Sequence, residues 1–325
     1  MHSGSPRLNS IMSLLRSRWQ SLCALGMVVC LTGTLLRAQD APADASPEEA
    51  SLKATTAKLN AYVKFMNRSL RAIQSLDRYK SWVNMKTGPT GHESIIYGLY
   101  DVYDTTQEAA NATAALTQEP LFPELDAAMR DYIAANAALG PILNTANAYY
   151  EREDYKVDKM ATGKTLHAQI VAAAEPFLAA HAHLDVVFRA EKAKADELRL
   201  AAIEKHEGRK ANWHVANIMM RARRIMDLLP SRAKPVVDIA VFDAEMVGYG
   251  GAVKDMDDYG AGHPNSFFVF ESQPRSLLSK LRDFQEKIDP AKGDARRGGG
   301  DDLPGIINDY NAMVSSSQSA TQFNK

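Results

Sequence analysis

Eight histidines and 39 acidic residues give this chain the raw material for a metal or acid–base site, so their spacing is the first test. His181 and His183 stand two apart, which on a helix points them to nearly opposite sides and forbids a shared ion. His167 and His181 share a helical face, but fourteen residues of helix separate them by about 21 Å. No His-Glu-x-x-His pattern occurs. A metal site would need ligands such as His92, Glu93 and His167 to converge from separate segments. Both cysteines, Cys23 and Cys30, lie in the first 30 residues. A processed chain without them has no thiolate nucleophile and no disulfide. A Gly-x-Ser-x-Gly elbow and a serine–lysine motif are also missing. The spacing predicts no catalytic residue, no metal site and no cofactor.

The best candidate for binding is the segment Lys86-Thr87-Gly88-Pro89-Thr90-Gly91-His92-Glu93. It lacks the Gly-x-x-x-x-Gly-Lys-Ser/Thr spacing of a phosphate loop. Its glycines can still turn backbone N–H groups toward an anion, so Lys86, Thr87, Gly88, Thr90, Gly91 and His92 form the predicted binding set. The competing reading is a helix-ending turn in which Gly88 and Gly91 supply backbone angles that other residues resist. Tyr97, Tyr100 and Tyr103, with Tyr149, Tyr150 and Tyr155, could line a groove or simply pack where helices meet. Arg221, Arg223 and Arg224 make a local basic patch, and Asp255, Asp257 and Asp258 an acidic one. The acidic spacing is not that of a calcium loop and reads as a solvated helix end.

The elements that must hold these residues are helical. Ser46-Pro47-Glu48-Glu49 is a capping box with proline at the first helical position. Beyond it Leu59, Tyr62, Val63, Met66, Leu70, Ile73, Leu76, Tyr79 and Val83 recur every three or four residues. The stripe stops at the Gly88–Gly91 turn. Further helices are predicted over 105–118, 123–153, 164–206, 210–229, 236–254, 274–288 and 303–315, with a kink or split at Gly140-Pro141 and a kink at Pro176. Phe267–Phe270 is a short apolar patch that could be extended. The fold class follows: all-α, an elongated antiparallel helical bundle with long, proline-kinked helices. It should occupy residues 47–317, followed by a polar tail over 318–325, with one core or two left open.

The N-terminus decides the compartment. Arg16 and Arg18 precede the apolar stretch Ser21–Leu36, which exits at Leu36-Arg37-Ala38. That is the pattern of an export signal over residues 1–38, with Met1 or Met12 as start. Sixteen apolar residues fall short of the ~20 a bilayer span needs. Residues 39–46 read as a flexible stem. A net charge of −1 with 24% charged residues argues against a nucleic-acid partner. Membrane contact is expected at most through the N-terminus.

Several blocks, in order, resemble the YiiG-like family of uncharacterised bacterial envelope proteins, many of them assigned as lipoproteins. They are Leu59-Asn60-Ala61-Tyr62; Arg78-Tyr79-Lys80-Ser81-Trp82 leading to Lys86–Gly91 and Tyr97-Gly98-Leu99-Tyr100; Tyr149-Tyr150 with Asp154-Tyr155-Lys156 and Gly163-Lys164; and Asp309-Tyr310-Asn311. The resemblance implies a helical, exported protein and supplies no substrate or catalytic residue. This chain departs from the lipoprotein habit, because Leu22 and Val29 precede its cysteines where a small residue is wanted. The expected function is that of an exported, non-enzymatic protein of the periplasm or cell envelope, binding an envelope protein or a small ligand. The alternative is a periplasmic metal- or small-molecule-binding protein with ligands from separate helices.

Overall fold

A computed structural model describes residues 47–230 and 235–323. The expected export signal and stem, and the last two residues of the expected tail, lie outside the described residues. Nine α-helices and no strand occur among those described: α1 Pro47–Trp82, α2 Thr106–Ala115, α3 Pro123–Glu151, α4 Tyr155–Asp158, α5 Ala161–Glu207, α6 Ala211–Leu228, α7 Ile239–Gly262, α8 Ser272–Ile288 and α9 Leu303–Phe323. The chain divides into two compact units between Ala195 and Asp196, inside α5.

In the N-terminal unit α1 packs against α2 and α3. The predicted stripe is the buried one: Leu59, Tyr62, Ile73, Leu76 and Tyr79 of α1 are interior, with Met129, Tyr132, Leu139 and Leu143 of α3 and Ile170, Phe177 and Leu184 of α5. One polar cluster is buried with them. Lys58 Nζ lies 2.8 Å from Asp126 Oδ2 and also donates to the carbonyls of Gln118 and Pro120. Asp126 Oδ1 accepts from the Tyr62 hydroxyl at 2.6 Å, and Oδ2 accepts from the Phe122 amide. Every strong donor and acceptor of the pair is used, which is the condition for a charge to sit inside a protein. The pair ties the connection between α2 and α3 to α1.

In the C-terminal unit α6 packs on α7, and α9 on α6 and α8. The interior is apolar: Ile218 and Ile225, Phe242 and Met256, Leu277, Leu281 and Phe284, Ile306 and Met313. Several boundaries differ from the sequence reading, and burial explains the extensions of α7 and α9. α7 continues through Gly248–Gly251 to Gly262 because Tyr249, Ala252, Val253 and Met256 are all interior. α9 runs on to Phe323, past the point where a polar tail was expected, and Ala320 is buried on its core face. Pro141 lies within α3 and Pro176 within α5, and neither helix is split. Phe267–Phe270 is a run of turns, not a strand, with Phe267 and Phe270 facing the core three residues apart.

Candidate functional site

The site begins where α1 stops. Asn84 Oδ1 accepts from the Lys86 amide at 2.9 Å, and the Gly88 amide returns to the Asn84 carbonyl at 2.8 Å. Gly88 has φ +77° and Gly91 φ +84°, left-handed angles that glycine adopts without strain. Glu93 then closes the loop on itself. Its carboxylate accepts from the Thr90 amide at 2.6 Å, the Thr90 hydroxyl at 2.9 Å and the Gly91 amide at 2.8 Å. Burial works against its charge, but the donors of Thr90 and Gly91 together outweigh that and hold the carboxyl below the usual range. The amides that an outside anion would need are therefore occupied by the chain's own carboxylate. The glycine turn is a structural device of the kind the competing reading described. Lys86, Thr87, Thr90, Gly91 and His92 are exposed around it, whereas Gly88 is buried.

Under the loop lies an aromatic cluster. Tyr79 and Trp82 of α1 pack edge-on at 5.5 Å, and Trp82 meets Tyr150 of α3 at 5.0 Å. Tyr149 and Tyr155 extend the cluster. The Tyr79 hydroxyl lies 3.1 Å from His167 Nδ1 of α5. Burial holds the His167 imidazole below its usual pKa, against the pull of the Met85 carbonyl. The tautomer of the ring decides which of the two groups donates. Burial raises the Tyr150 phenol well above its ordinary value. Its enclosed ring packs 6.3 Å from that of Tyr79, whose hydroxyl is bonded to His167.

Three glycines make this packing possible. A Cβ on Gly88 would stand 2.9 Å from His167 Cδ2, one on Gly98 3.4 Å from Tyr150 Cβ, and one on Gly163 3.1 Å from the Tyr150 hydroxyl. The start of α5 is fixed by Asp158, which accepts from the amides of Met160 and Thr162 and from the Tyr149 hydroxyl. The sequence reading left this stretch as a polar break. An aspartate just ahead of the alanine-rich run, able to accept from the amides that open it, is the signal that could have found it.

From Gly98 to Asp104 an irregular strap lies along α1. The Nε–H groups of Arg78, Arg71 and Arg68 donate to the carbonyls of Tyr97, Asp101 and Asp104 at 2.8, 3.2 and 3.1 Å. The guanidinium of Arg78 sits 4.5 Å from the Tyr100 ring, Arg71 4.2 Å from Tyr100 and 5.6 Å from Tyr103, and Arg68 4.6 Å from Tyr103. Arginine and tyrosine therefore alternate along one face. Tyr97, Tyr103 and Ile95 remain about half exposed.

The remaining candidates separate. Among the described residues no three His, Cys, Asp or Glu side chains gather as metal ligands. His167 reaches the loop but is bonded to Tyr79, and Glu93 is spent on amides, so the anticipated convergence is not a ligand set. His181 is buried against Tyr132. The basic patch is paired: Arg223 with Asp196 at 3.7 Å, Arg224 with Glu197, and Arg221 bonded to Asn217. Asp257 and Asp258 lie within α7, not at its end, and pair with Arg275 and Lys254.

No solved structure matches the chain. It is 28% identical over 273 residues to an uncharacterised protein, YiiG, of Escherichia coli strain K12, an alignment covering 79% of this chain and 76% of that one. A family model described as a protein of unknown function, DUF3829, matches residues 53–322, from the second turn of α1 to the end of α9. The chain belongs to that family.

Proposed function

We propose that this is an exported, non-enzymatic binding protein of the cell envelope, and that its docking face is the loop and strap over residues 84–104. One observation carries the reading. The short blocks that carry the family resemblance between Arg78 and Lys164 are scattered in sequence, yet Tyr79, Trp82, Gly88, Gly98, Tyr150, Tyr155 and Gly163 meet in one place. Trp82 Nε1 bonds the Gly98 carbonyl of the strap and the Tyr79 hydroxyl bonds His167 beneath the loop. A surface held rigid in this way loses little entropy when a partner docks, which favours recognition. The half-exposed Tyr97, Tyr103 and Ile95 supply the contact area. The Arg16–Ala38 leader supports export.

Two measurements test the two halves. Cell fractionation with N-terminal sequencing should give an envelope protein starting near Gln39, and a cytoplasmic chain with its leader intact would end the export reading. A photo-crosslinking residue at Tyr97 should capture one envelope component that the same residue at Val247 does not. Equal capture from both positions would remove the docking face.

A further inference from the structure

The face of α1 that carries the strap has cations on it and no acid. Lys64, Arg71 and Arg78 stand seven residues apart, so they fall on one line of the helix about 10 Å from each other, with Arg68 beside them. The one acid in that stretch of α1, Asp77, is about 100° round the helix from Arg78. Among the described residues no carboxylate pairs with Lys64, Arg71 or Arg78, and Arg68 reaches Glu108 only at 4.0 Å. We propose that this line is the recognition element of the docking face, and that its occupant is an extended acidic peptide segment of the partner, with carboxylates at about three-residue intervals. The inference rests on the docking reading and names the chemistry of the partner.

The guanidiniums are already in place. Arg78 and Arg71 bond the strap through Nε and lie over the Tyr100 ring at 4.5 and 4.2 Å. Arg71 Nη1 also donates to Gln74 at 3.0 Å, but the Nη groups of Arg78 bond nothing among the described residues. A guanidinium packed on a ring keeps its in-plane N–H groups for an anion, and a carboxylate meets such a fork with two parallel bonds. Because the side chains are fixed beforehand, binding loses little of their entropy. The acids of the strap then select among anions. Asp101 is exposed and its carboxylate bonds nothing among the described residues, while Asp104 accepts from the amide and hydroxyl of Thr106. Their own carbonyls are the ones that Arg71 and Arg68 hold, so both carboxylates stand among the cations and repel a densely charged polymer or an anionic bilayer. An extended chain advances about 3.3 Å per residue, so carboxylates three apart repeat every ~10 Å, the interval of Lys64, Arg71 and Arg78. The residues between them can pack on the half-exposed Tyr97, Tyr103 and Ile95.

The test is fluorescence anisotropy on the full mature chain, at low and high salt, with a labelled peptide of four Thr-Ser-Glu repeats. The peptide should bind saturably, weaken with salt, and bind about tenfold or more tighter than its Thr-Ser-Gln counterpart. Arg78→Gln should lower the affinity about tenfold. Lys64→Gln should lower it about two- to fivefold, and Asp101→Asn should raise it by a similar factor. The Lys64 and Asp101 side chains make no bond among the described residues, so these two variants decide the matter if Arg78→Gln fails to fold. Equal binding of the two peptides, no binding of either, or indifference to both Lys64→Gln and Asp101→Asn overturns the proposal. So does tighter, Arg78-dependent binding to vesicles containing phosphatidylglycerol, which would make the occupant an anionic bilayer. In each of those cases the crosslinker at Tyr97 still reports on its own whether an envelope component docks there, so the docking face and its acidic occupant fall separately.

Discussion

Each unit carries long irregular backbone, and the two units hold it by opposite means. In the N-terminal unit the 83–105 segment is held by side chains reaching from helices. Arg68, Arg71 and Arg78 donate to its carbonyls, Trp82 Nε1 donates to Gly98, Ser75 brackets Tyr100, and Asn144 bonds both the amide and the carbonyl of Val102. In the C-terminal unit the 289–302 segment is held chiefly by main chain, with one side-chain anchor from Lys287 of α8 to Asp302. Val237 N donates to Gly293 O and Ala295 N to Pro235 O, both at 2.9 Å, around a single antiparallel bridge. Side-chain anchoring spends specific residues and leaves their chemistry displayed at the surface. Main-chain anchoring needs little beyond a glycine where two backbones meet. The contrast explains why the candidate site lies in the first unit. Each unit also has its own tryptophan among the described residues, Trp82 and Trp213, so fluorescence of variants that keep only one of them follows each unit separately.

The largest effect should come from the buried cluster that anchors the 116–122 connection. Asp126→Ala leaves Lys58 charged, interior and short of its counter-ion. Breaking a buried pair from one side costs about 3–5 kcal/mol. Urea unfolding followed at Trp82 should shift to lower denaturant by that amount, with Trp213 barely affected. A small shift would mean that the side-chain anchors of this unit are dispensable.

Next in size is Gly293→Ala. A Cβ there would stand 2.2 Å from the Val237 carbonyl oxygen, at a residue whose φ is +80°. Contact and backbone angle both oppose it, at about 1–3 kcal/mol for the strained angle alone. The loss should appear at Trp213 and spare Trp82, the mirror image of the first result.

Arg71→Ala removes one carbonyl bond and two ring contacts from the strap, an expected cost of about 1–2 kcal/mol at Trp82. Arg71→Lys should not restore it, because an ammonium cannot stack flat between Tyr100 and Tyr103 while its neighbouring nitrogen bonds Asp101. Full rescue by lysine would reduce the ladder to simple charge.

Much of the side-chain anchoring was legible in the sequence, and the main-chain anchoring was not. The α1 stripe, the Gly88–Gly91 turn and the clustered tyrosines were all visible as patterns. Tyr97, Tyr100 and Tyr103 recur every three residues and Arg68, Arg71 and Arg78 share a helical face, yet the pairing went unread because it joins two different periods. The role of Glu93 was also hidden, since a carboxylate two residues after a glycine turn reads equally as a metal ligand or a cap. Nothing in the sequence marks Gly293, for only the fold brings the carbonyl of Val237 against it. The extension of α7 and α9 beyond their expected ends has the same cause. Local propensity there favours stopping, and burial of Tyr249, Met256 and Ala320 overrides it.

The smallest prediction sharpens the comparison from the side where glycine has no task. Gly251 sits inside α7 with a helical backbone, exposed, and a Cβ there would meet nothing within 4 Å. Gly163, inside α5, would push the same atom to 2.5 Å from Met160 Sδ and 3.1 Å from the Tyr150 hydroxyl. Helix propensity alone favours alanine over glycine by about 0.8–1.0 kcal/mol at either position. Gly251→Ala should therefore raise the Trp213 transition by roughly that amount. Gly163→Ala should lower the Trp82 transition, because the gain is outweighed by forcing Met160 out of a packed interior. If both substitutions stabilise, the glycines around Tyr150 are not clearances for the aromatic cluster, and the argument that they build the site loses its physical basis.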